Sequence, residues 1–513
     1  MLLNVIDYIE KKSLQKFGNN KAIIDGERTT LLADLVKASK QLAQHLIAVN
    51  DVLNKPIAVF LPKSTESVIA NLAITYSGNV YMNLDIKNPD ARIKGIVEKI
   101  QPQIIITTRQ HQQRLESLID ESIKLFFIEE RSLELQLDEN LIFNRLSGVI
   151  DADPYCIINT SGSTGTPKGV VLNHKSFIDF TEWSVDVLQI GDKEIIGSLS
   201  PLYFDIYSFE LCLLMAKGAT LVIIPETLAT FPAKLIEFLA DKKVSWIFWV
   251  PTIMVNIANL NLFTSYQLPD LRTVWFAGEV FPTKHLNYWR RHIPHAKFVN
   301  LYGPIEITLD CTYYVVEKDF PDDVPIPIGF PCRNTDVLIL NDENELAEVN
   351  EKGELCVRGT SLAMGYYNDP EKTAKAFVQN PLNRNYPETI YRTGDVVYKN
   401  EVGEIIFAGR RDFQIKHLGY RIDLGEVEHV IVNTWGKVRN ACVLYNHEKK
   451  EICLFYENEQ EISAAEFRRD LMQLLPKYMV PTSFRAFTEM PRNPNGKIDR
   501  NYLKENFINC NGL

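Results

Sequence analysis

Residues 159–171 read NTSGSTGTPKGVV. Glycine and small side chains leave the backbone N–H groups bare, Thr160, Ser161, Ser163 and Thr164 add hydroxyls, and Lys168 supplies one mobile cation. A loop of this kind is equipped to hold phosphate. It is not a Walker loop, GxxxxGK[ST]. Pro167 stands before Lys168 where that pattern needs glycine, and Gly169 follows where it needs Ser or Thr. The dinucleotide pattern GxGxxG is absent as well. Turn chemistry alone would account for the residue types, but not for the ordered string TSGSTGxPKG.

Such a loop has to be positioned by regular elements. Over the first 400 residues, short apolar runs (IAVFLPK, QIIITTR, SIKLFFIEE, ATLVIIPE) alternate with helically spaced segments such as STESVIANLAITYSG. Alternating strands and helices predict a layered α/β fold with largely parallel sheets. Beyond residue 400 a charged, hairpin-like segment leads into a helix, then a strand KKEICLFYENE and an amphipathic AAEFRRDLMQLLPKYM. This predicts a small α+β domain of about 100 residues. The expected division is 1–409 and 410–513, with the boundary near Arg410–Asp412.

The 513 residues exceed one ordinary core, and a net charge of −10 argues against a nucleic-acid binder. The 8 cysteines are scattered without a CxxC pair, as in a cytosolic protein with reduced thiols. The N-terminal MLLNVIDYIEKKSLQKF reads as an amphipathic helix, not a signal peptide. The uncharged stretch 244–263 is broken by Pro251, Asn256 and Asn259, and predicts a buried strand, a turn and a packed helix, with no membrane span.

Several further strings stand in a fixed order along the chain: NLYGPIEIT (300–308), GELCVRGTSLAMGYYNDPEKTAKAF (353–377), YRTGD (391–395), GRRDFQIKHLGYRIDLGEVE (409–428) and NPNGKIDR (493–500). With the phosphate loop they resemble, almost end to end, the adenylate-forming enzymes. The resemblance is to the amino-acid adenylation domains of nonribosomal peptide synthetases and to D-alanyl or prolyl carrier-protein ligases. It implies attack of a carboxylate on the α-phosphate of ATP, with Mg²⁺, followed by thiol displacement of AMP. Thr160, Ser161, Gly162, Ser163, Thr164, Gly165 and Lys168 would then hold the β- and γ-phosphates. Tyr302 would lie against the adenine, Asp395 would accept from the ribose hydroxyls, and Arg410 would add a cation near the ribose or phosphates. Glu306 would ligate Mg²⁺. Lys497 would bridge the substrate carboxylate and the α-phosphate, and Asp412 would be the hinge of a mobile C-terminal domain. Three departures from the family strings are Ile305 for threonine in YGPTE, Asn159 for tyrosine and Asn83 for proline.

Asp205, in YFDIYSFE, matches the aspartate that pairs with an α-amino group; it also precedes a helical run and would suit a helix cap. The resemblance places Ile206, Phe209, Phe248, Trp275, Ala277, Leu301, Leu309 and Asp310 around the acid. That set leaves little volume and no basic group, so a small neutral amino acid is expected, L-proline first, with alanine, glycine or serine open. No condensation, carrier or thioesterase region is recognised, so the expected thiol belongs to a separate phosphopantetheinylated carrier protein. Arg410, Arg411, Lys416, His417 and Arg421 would offer that carrier a basic face. Two other readings stay open: an acyl-CoA ligase of the same fold, and a binding protein that has kept the fold but lost the chemistry.

Overall fold

Apolar runs of four residues bounded by turns become strands with no exposed face. In the computed structural model of the chain, which describes residues 2–130, 136–160, 167–410, 414–492 and 498–508, the strands Pro56–Val59, Val80–Asn83, Ile104–Thr107, Thr220–Ile223 and Trp246–Trp249 are buried at every residue. This is how parallel strands read when helices cover both sides of a sheet.

The chain divides into two units. One holds Met1–Ile86, Ile100–Ile158 and Gly169–Arg411; the other holds Lys87–Lys99, Asn159–Lys168 and Asp412–Leu513. The second unit is therefore not one continuous stretch, as a single boundary would make it.

Among the described residues, three sheets carry the first unit. In a nine-stranded sheet, six neighbouring strands run parallel: Lys21–Asp25, Thr220–Ile223, Ile195–Ser198, Trp246–Trp249, Thr273–Phe276 and Lys297–Tyr302. Alternation along them sorts side chains to two faces. Trp246, Phe248, Trp275, Val299 and Leu301 join the main core. Ile247, Trp249, Val274, Phe276 and Phe298 point the other way, into a second core shared with Leu235, Met254 and Trp289 of the covering helices. A seven-stranded sheet runs Gly365–Tyr366, Lys168–Asn173, Pro154–Thr160, Val80–Asn83, Pro56–Val59, Ile104–Thr107, Lys124–Phe127. The helix Asp205–Lys217 is buried from Ile206 through Met215 and lies in the core that both sheets share. A helix that is apolar all round has no solvent side to offer. A third, antiparallel sheet carries Thr335–Leu340, Gly353–Gly359, Thr389–Lys399, Phe377–Gln379 and Ile405–Arg410.

The second unit contains the hairpin Gln414–His417/Tyr420–Asp423 and a three-stranded sheet of Asn440–Asn446, Glu451–Glu457 and Ser483–Phe487. The helices Leu424–His429 and Ala464–Leu471 pack on it through Val427 and Phe467. The stretch 244–263 forms the strand Trp246–Trp249 and the helix Pro251–Asn259. Among the described residues no helix is long and apolar enough to cross a membrane. The cysteines described are buried and unbonded to one another.

Candidate active site

Two strand ends and the middle of a third strand in the first unit bring one polar group together. Tyr302 closes the strand Lys297–Tyr302, Asp395 lies within Thr389–Lys399, and Arg410 closes Ile405–Arg410, directly across the ladder from Asp395. The Tyr302 hydroxyl donates to one oxygen of Asp395 and the Arg410 guanidinium pairs with the other. Arg410 also donates to the Thr393 carbonyl at 3.0 Å, and the Asp395 N–H donates to the Thr393 hydroxyl at 3.0 Å. Asp395 is 2% exposed. A buried carboxylate is tolerated only with such partners, and each of its oxygens keeps a further lone pair for a ligand hydroxyl. Burial, and next the Asp395 charge, push the Tyr302 hydroxyl well above its ordinary range, so it stays a donor.

Glu306 sits in the short 3₁₀ turn Ile305–Ile307 and is fully buried. Tyr366 donates its hydroxyl to Glu306 Oε1 at 2.8 Å. The chain then turns sharply: Thr308 and Leu309 have φ of 49° and 64°, a left-handed conformation that costs a non-glycine residue energy and concentrates at functional sites. The turn folds against Gly303, where a Cβ would lie 2.3 Å from the Leu309 carbonyl oxygen. Only glycine fits there, which gives the YGP string its physical reason. Ile305, where the family has threonine, spends its side chain on the main core instead. Among the described residues no cluster of three metal-ligating side chains exists. One buried carboxylate does fit Mg²⁺, a cation that takes one or two carboxylates together with substrate phosphates.

Asp205 is the first residue of its helix. Phe204 holds the cap position and makes no side-chain cap bond. The Asp205 carboxylate accepts from the Ile206 N–H at 2.9 Å. Among the described residues it takes part in no ion pair. Burial pushes it up to about 6; the N–H groups of Ile206 and Leu309 pull the other way, and the Glu306 charge pushes it further up. Its residue retains some surface, but the carboxyl is enclosed by protein, and enclosure outweighs the helix dipole that favours an anion there.

The residues expected around the acid do come together: Ile206, Phe209, Phe248, Trp275, Ala277, Leu301 and Leu309 belong to one buried cluster. Phe209 stacks on Trp275 with ring centres 5.8 Å apart, and Phe248 meets Trp275 edge-on at 5.6 Å. Asp310 is also buried. Trp246, which the sequence reading passed over, completes this group, 5.1 Å from Trp275. Period two along WIFW already puts Trp246 beside Phe248 and would have found it.

Two anchors of the loop before Asp205 were also missed. Lys63 donates to the carbonyls of Ser198 and Ser200 at 2.9 and 2.6 Å. Asn83 donates to the Leu202 carbonyl at 2.7 Å. The Ser198 hydroxyl donates to Glu210, and burial raises the Glu210 carboxyl and lowers the Lys63 ammonium from their ordinary ranges. One charge inside the apolar helix, FELCLL, was the available signal.

Thr160 ends the strand Pro154–Thr160 and Lys168 begins Lys168–Asn173, flanking the phosphate loop. Ser161, Gly162, Ser163, Thr164 and Gly165, the expected hinge residue Asp412, Arg411 of the expected basic face and Lys497 lie outside the described residues.

Residues 10–367 match the family described as AMP-binding enzyme. The chain is similar to tyrocidine synthase 1 of Brevibacillus parabrevis, 30% identical over 99% of this chain but only 45% of that protein. It therefore spans about half the length of that relative. It is also similar to zwittermicin A synthase ZmaJ of Bacillus cereus, 30% identical over 94% of this chain and 91% of the relative. The fold matches the Vibrio cholerae adenylation domain AlmE, solved with glycyl-adenosine-5'-phosphate, with TM-score 0.83, 21% identity and 98% of both chains covered.

Proposed function

The chain belongs to the AMP-binding enzyme family, and on that premise we propose that it activates a small neutral amino acid with ATP and passes it to the phosphopantetheine thiol of a carrier protein. A substrate carboxylate oxygen attacks the α-phosphorus; that P–O bond forms, the bond to the β-phosphate breaks, and pyrophosphate leaves. A thiolate then attacks the acyl carbon and AMP leaves with the bonding pair. Charge moves among phosphate oxygens in both steps, so fixed donors and cations carry most of the rate.

Thr160 to Gly165 and Lys168 hold the outer phosphates, and Lys497 bridges the carboxylate and the α-phosphate; these assignments rest on sequence. Tyr302 flanks the adenine. Asp395 accepts from the ribose hydroxyls, held in place by Arg410. Glu306 and the nucleotide phosphates would hold Mg²⁺, which neutralises charge on the phosphate oxygens. Beyond residue 410 the chain rotates about Asp412 between the two half-reactions.

The observation that carries the amino-acid reading is Asp205, an enclosed carboxyl raised to about 6 with no ion pair among the described residues. A substrate ammonium supplies the missing counter-charge. The mutual packing of Phe209, Phe248 and Trp275 supports a small side chain, with L-proline preferred over alanine, glycine and serine. AlmE, with its glycyl adenylate, is a fold neighbour with a comparable ligand. Pyrophosphate exchange with a panel of acids tests the reading. Proline or another small neutral amino acid should lead. Lysine, glutamate or tryptophan in first place sinks the pocket assignment. Equal turnover of acids that lack an α-amino group, with transfer to coenzyme A and to no carrier, favours the acyl-CoA ligase.

A further inference from the structure

Leu199 to Phe204 run as a loop between the strand Ile195–Ser198 and the helix Asp205–Lys217. This loop sets where Asp205 starts its helix, and side chains from the other large sheet hold it at alternate carbonyls. Lys63 takes those of Ser198 and Ser200, and Asn83 takes that of Leu202. The Ser198 carbonyl also accepts the Ile224 N–H at 3.2 Å, so the sheet already fixes it. The Ser200 carbonyl lies beyond the end of the strand, and Lys63 carries the constraint out to it.

Lys63 is itself fixed at its base. It stands between the strand Pro56–Val59 and the helix Thr65–Tyr76. The first turn of that helix is closed by a reciprocal pair: the Ser64 N–H donates to the Ser67 hydroxyl at 3.1 Å, and the Ser67 N–H to the Ser64 hydroxyl at 3.3 Å. The Thr65 N–H adds a bond to Asp25 at 2.9 Å. At its tip, the Lys63 ammonium lies 5.5 Å from the ring centre of Tyr207, on the first turn of the Asp205 helix. Glu210, later on that helix and fully buried, accepts from the Ser198 hydroxyl. Burial works against the charge on Lys63 and on Glu210, and their mutual attraction supports both. Lysine and glutamate thus grip the same residue, one by its carbonyl and one by its hydroxyl.

We infer that Lys63 is a positioning residue for amino-acid binding: by holding the carbonyls of Ser198 and Ser200 it fixes the approach to the helix Asp205–Lys217, and so the place at which the Asp205 carboxylate meets the substrate ammonium. Hydrogen bonds from a cation are stronger than neutral ones. A loop that lacks them has to be ordered when the substrate binds, and that ordering is lost from the affinity. The inference rests on the proposed ammonium role of Asp205 and goes one step beyond it.

The test is pyrophosphate exchange by the intact protein, with KM measured separately for its best amino acid and for ATP. Lys63→Met alone would leave the buried Glu210 carboxyl without its counter-charge and lower stability. The deciding variant is therefore Lys63→Met together with Glu210→Gln, which removes both charges and still offers the Ser198 hydroxyl an amide oxygen. It should raise the amino-acid KM about tenfold, the worth of one hydrogen bond to a charged group, and leave the KM for ATP unchanged. Asp205→Asn added to this pair should lower kcat/KM by a smaller factor than it does in the parent, because both changes act at one contact. Full additivity of the two overturns the inference. An unchanged amino-acid KM in the paired variant, while Asp205→Asn raises it, overturns this inference alone. If Asp205→Asn itself leaves the amino-acid KM untouched, the ammonium role of Asp205 falls, and this inference with it. Equal rises in KM for ATP and for the amino acid show that Lys63 supports the shape of the site in general, and also overturn it.

Discussion

Asp395 and Asp205 are two enclosed carboxylates of the same unit, housed in opposite ways. Asp395 has Tyr302 on one oxygen and Arg410 on the other. Asp205 has backbone N–H groups, the like charge of Glu306 and, among the described residues, no cation. The first is a finished network that only needs a ligand to join it. The second is a charge held at a cost until a cationic ligand arrives. A group that binds neutral hydroxyls can be fixed by partners beforehand, whereas a group that binds an ammonium gains selectivity by being poorly satisfied without one.

The sharpest way to break this contrast is to remove each carboxylate. Asp205→Asn should depress kcat/KM for every amino acid by about a hundredfold or more, because deleting one partner of an enclosed ion pair costs about 3 kcal/mol or above. Pyrophosphate exchange measures it, and undiminished turnover would make Asp205 a purely structural residue. Asp395→Ala should lose both activity and stability. It removes the carboxylate that pairs with the largely buried Arg410, so denaturant unfolding should show a loss of about 3 kcal/mol. A stability change near zero would mean the Tyr302–Asp395–Arg410 network is not holding the ligand-free site together.

Ligand-free stability should move the other way at Asp205. Its folded carboxyl titrates near 6 against an ordinary 3.8, so between those values the folded state binds more protons than the unfolded one. Stability therefore falls as pH rises from about 4 to about 6, by about 3 kcal/mol at most. Asp205→Asn should flatten that slope and melt higher than the parent at pH 7.5, with the two alike near pH 4. Amino-acid affinity should follow the same titration from the other side, weakening about tenfold per pH unit below 6 as the carboxyl protonates. The smallest expected effect lies in the aromatic wall. Trp275→Leu removes a ring stacked on Phe209, and should shift preference about tenfold toward larger apolar amino acids in the exchange panel.

Much of this site could be read from the chain before any fold was known. The phosphate loop, YGPIE, YRTGD and the FD of YFDIYSFE are contiguous strings, and a string survives being read in one dimension. The apolar faces of WIFW and TVWF were legible too, because strand alternation is local. What escaped were partners. Lys63 is an ordinary lysine until Ser200, 137 residues away, presents its carbonyl. Asn83 looked like a mere departure from family proline, yet it donates to Leu202. The GY string was recognised with no role for its tyrosine.

Sequence by itself determined which groups this protein owns: the string TSGSTGTPKG, the acidic residues Asp205, Glu306 and Asp395, and strands buried on both faces to carry them. These follow from residue type and short-range spacing, since backbone conformation and apolar periodicity are decided within a few residues. Tertiary structure alone decided what each carboxylate is allowed to be. Tyr302 and Asp395 are 93 residues apart, and Glu306 and Tyr366 are 60. Only the closing of sheets against one another sets which carboxyl meets a cation, which meets a hydroxyl, and which is left to burial. The charge state of an enclosed group depends on those neighbours and on the water they exclude, and neither is a property of a string.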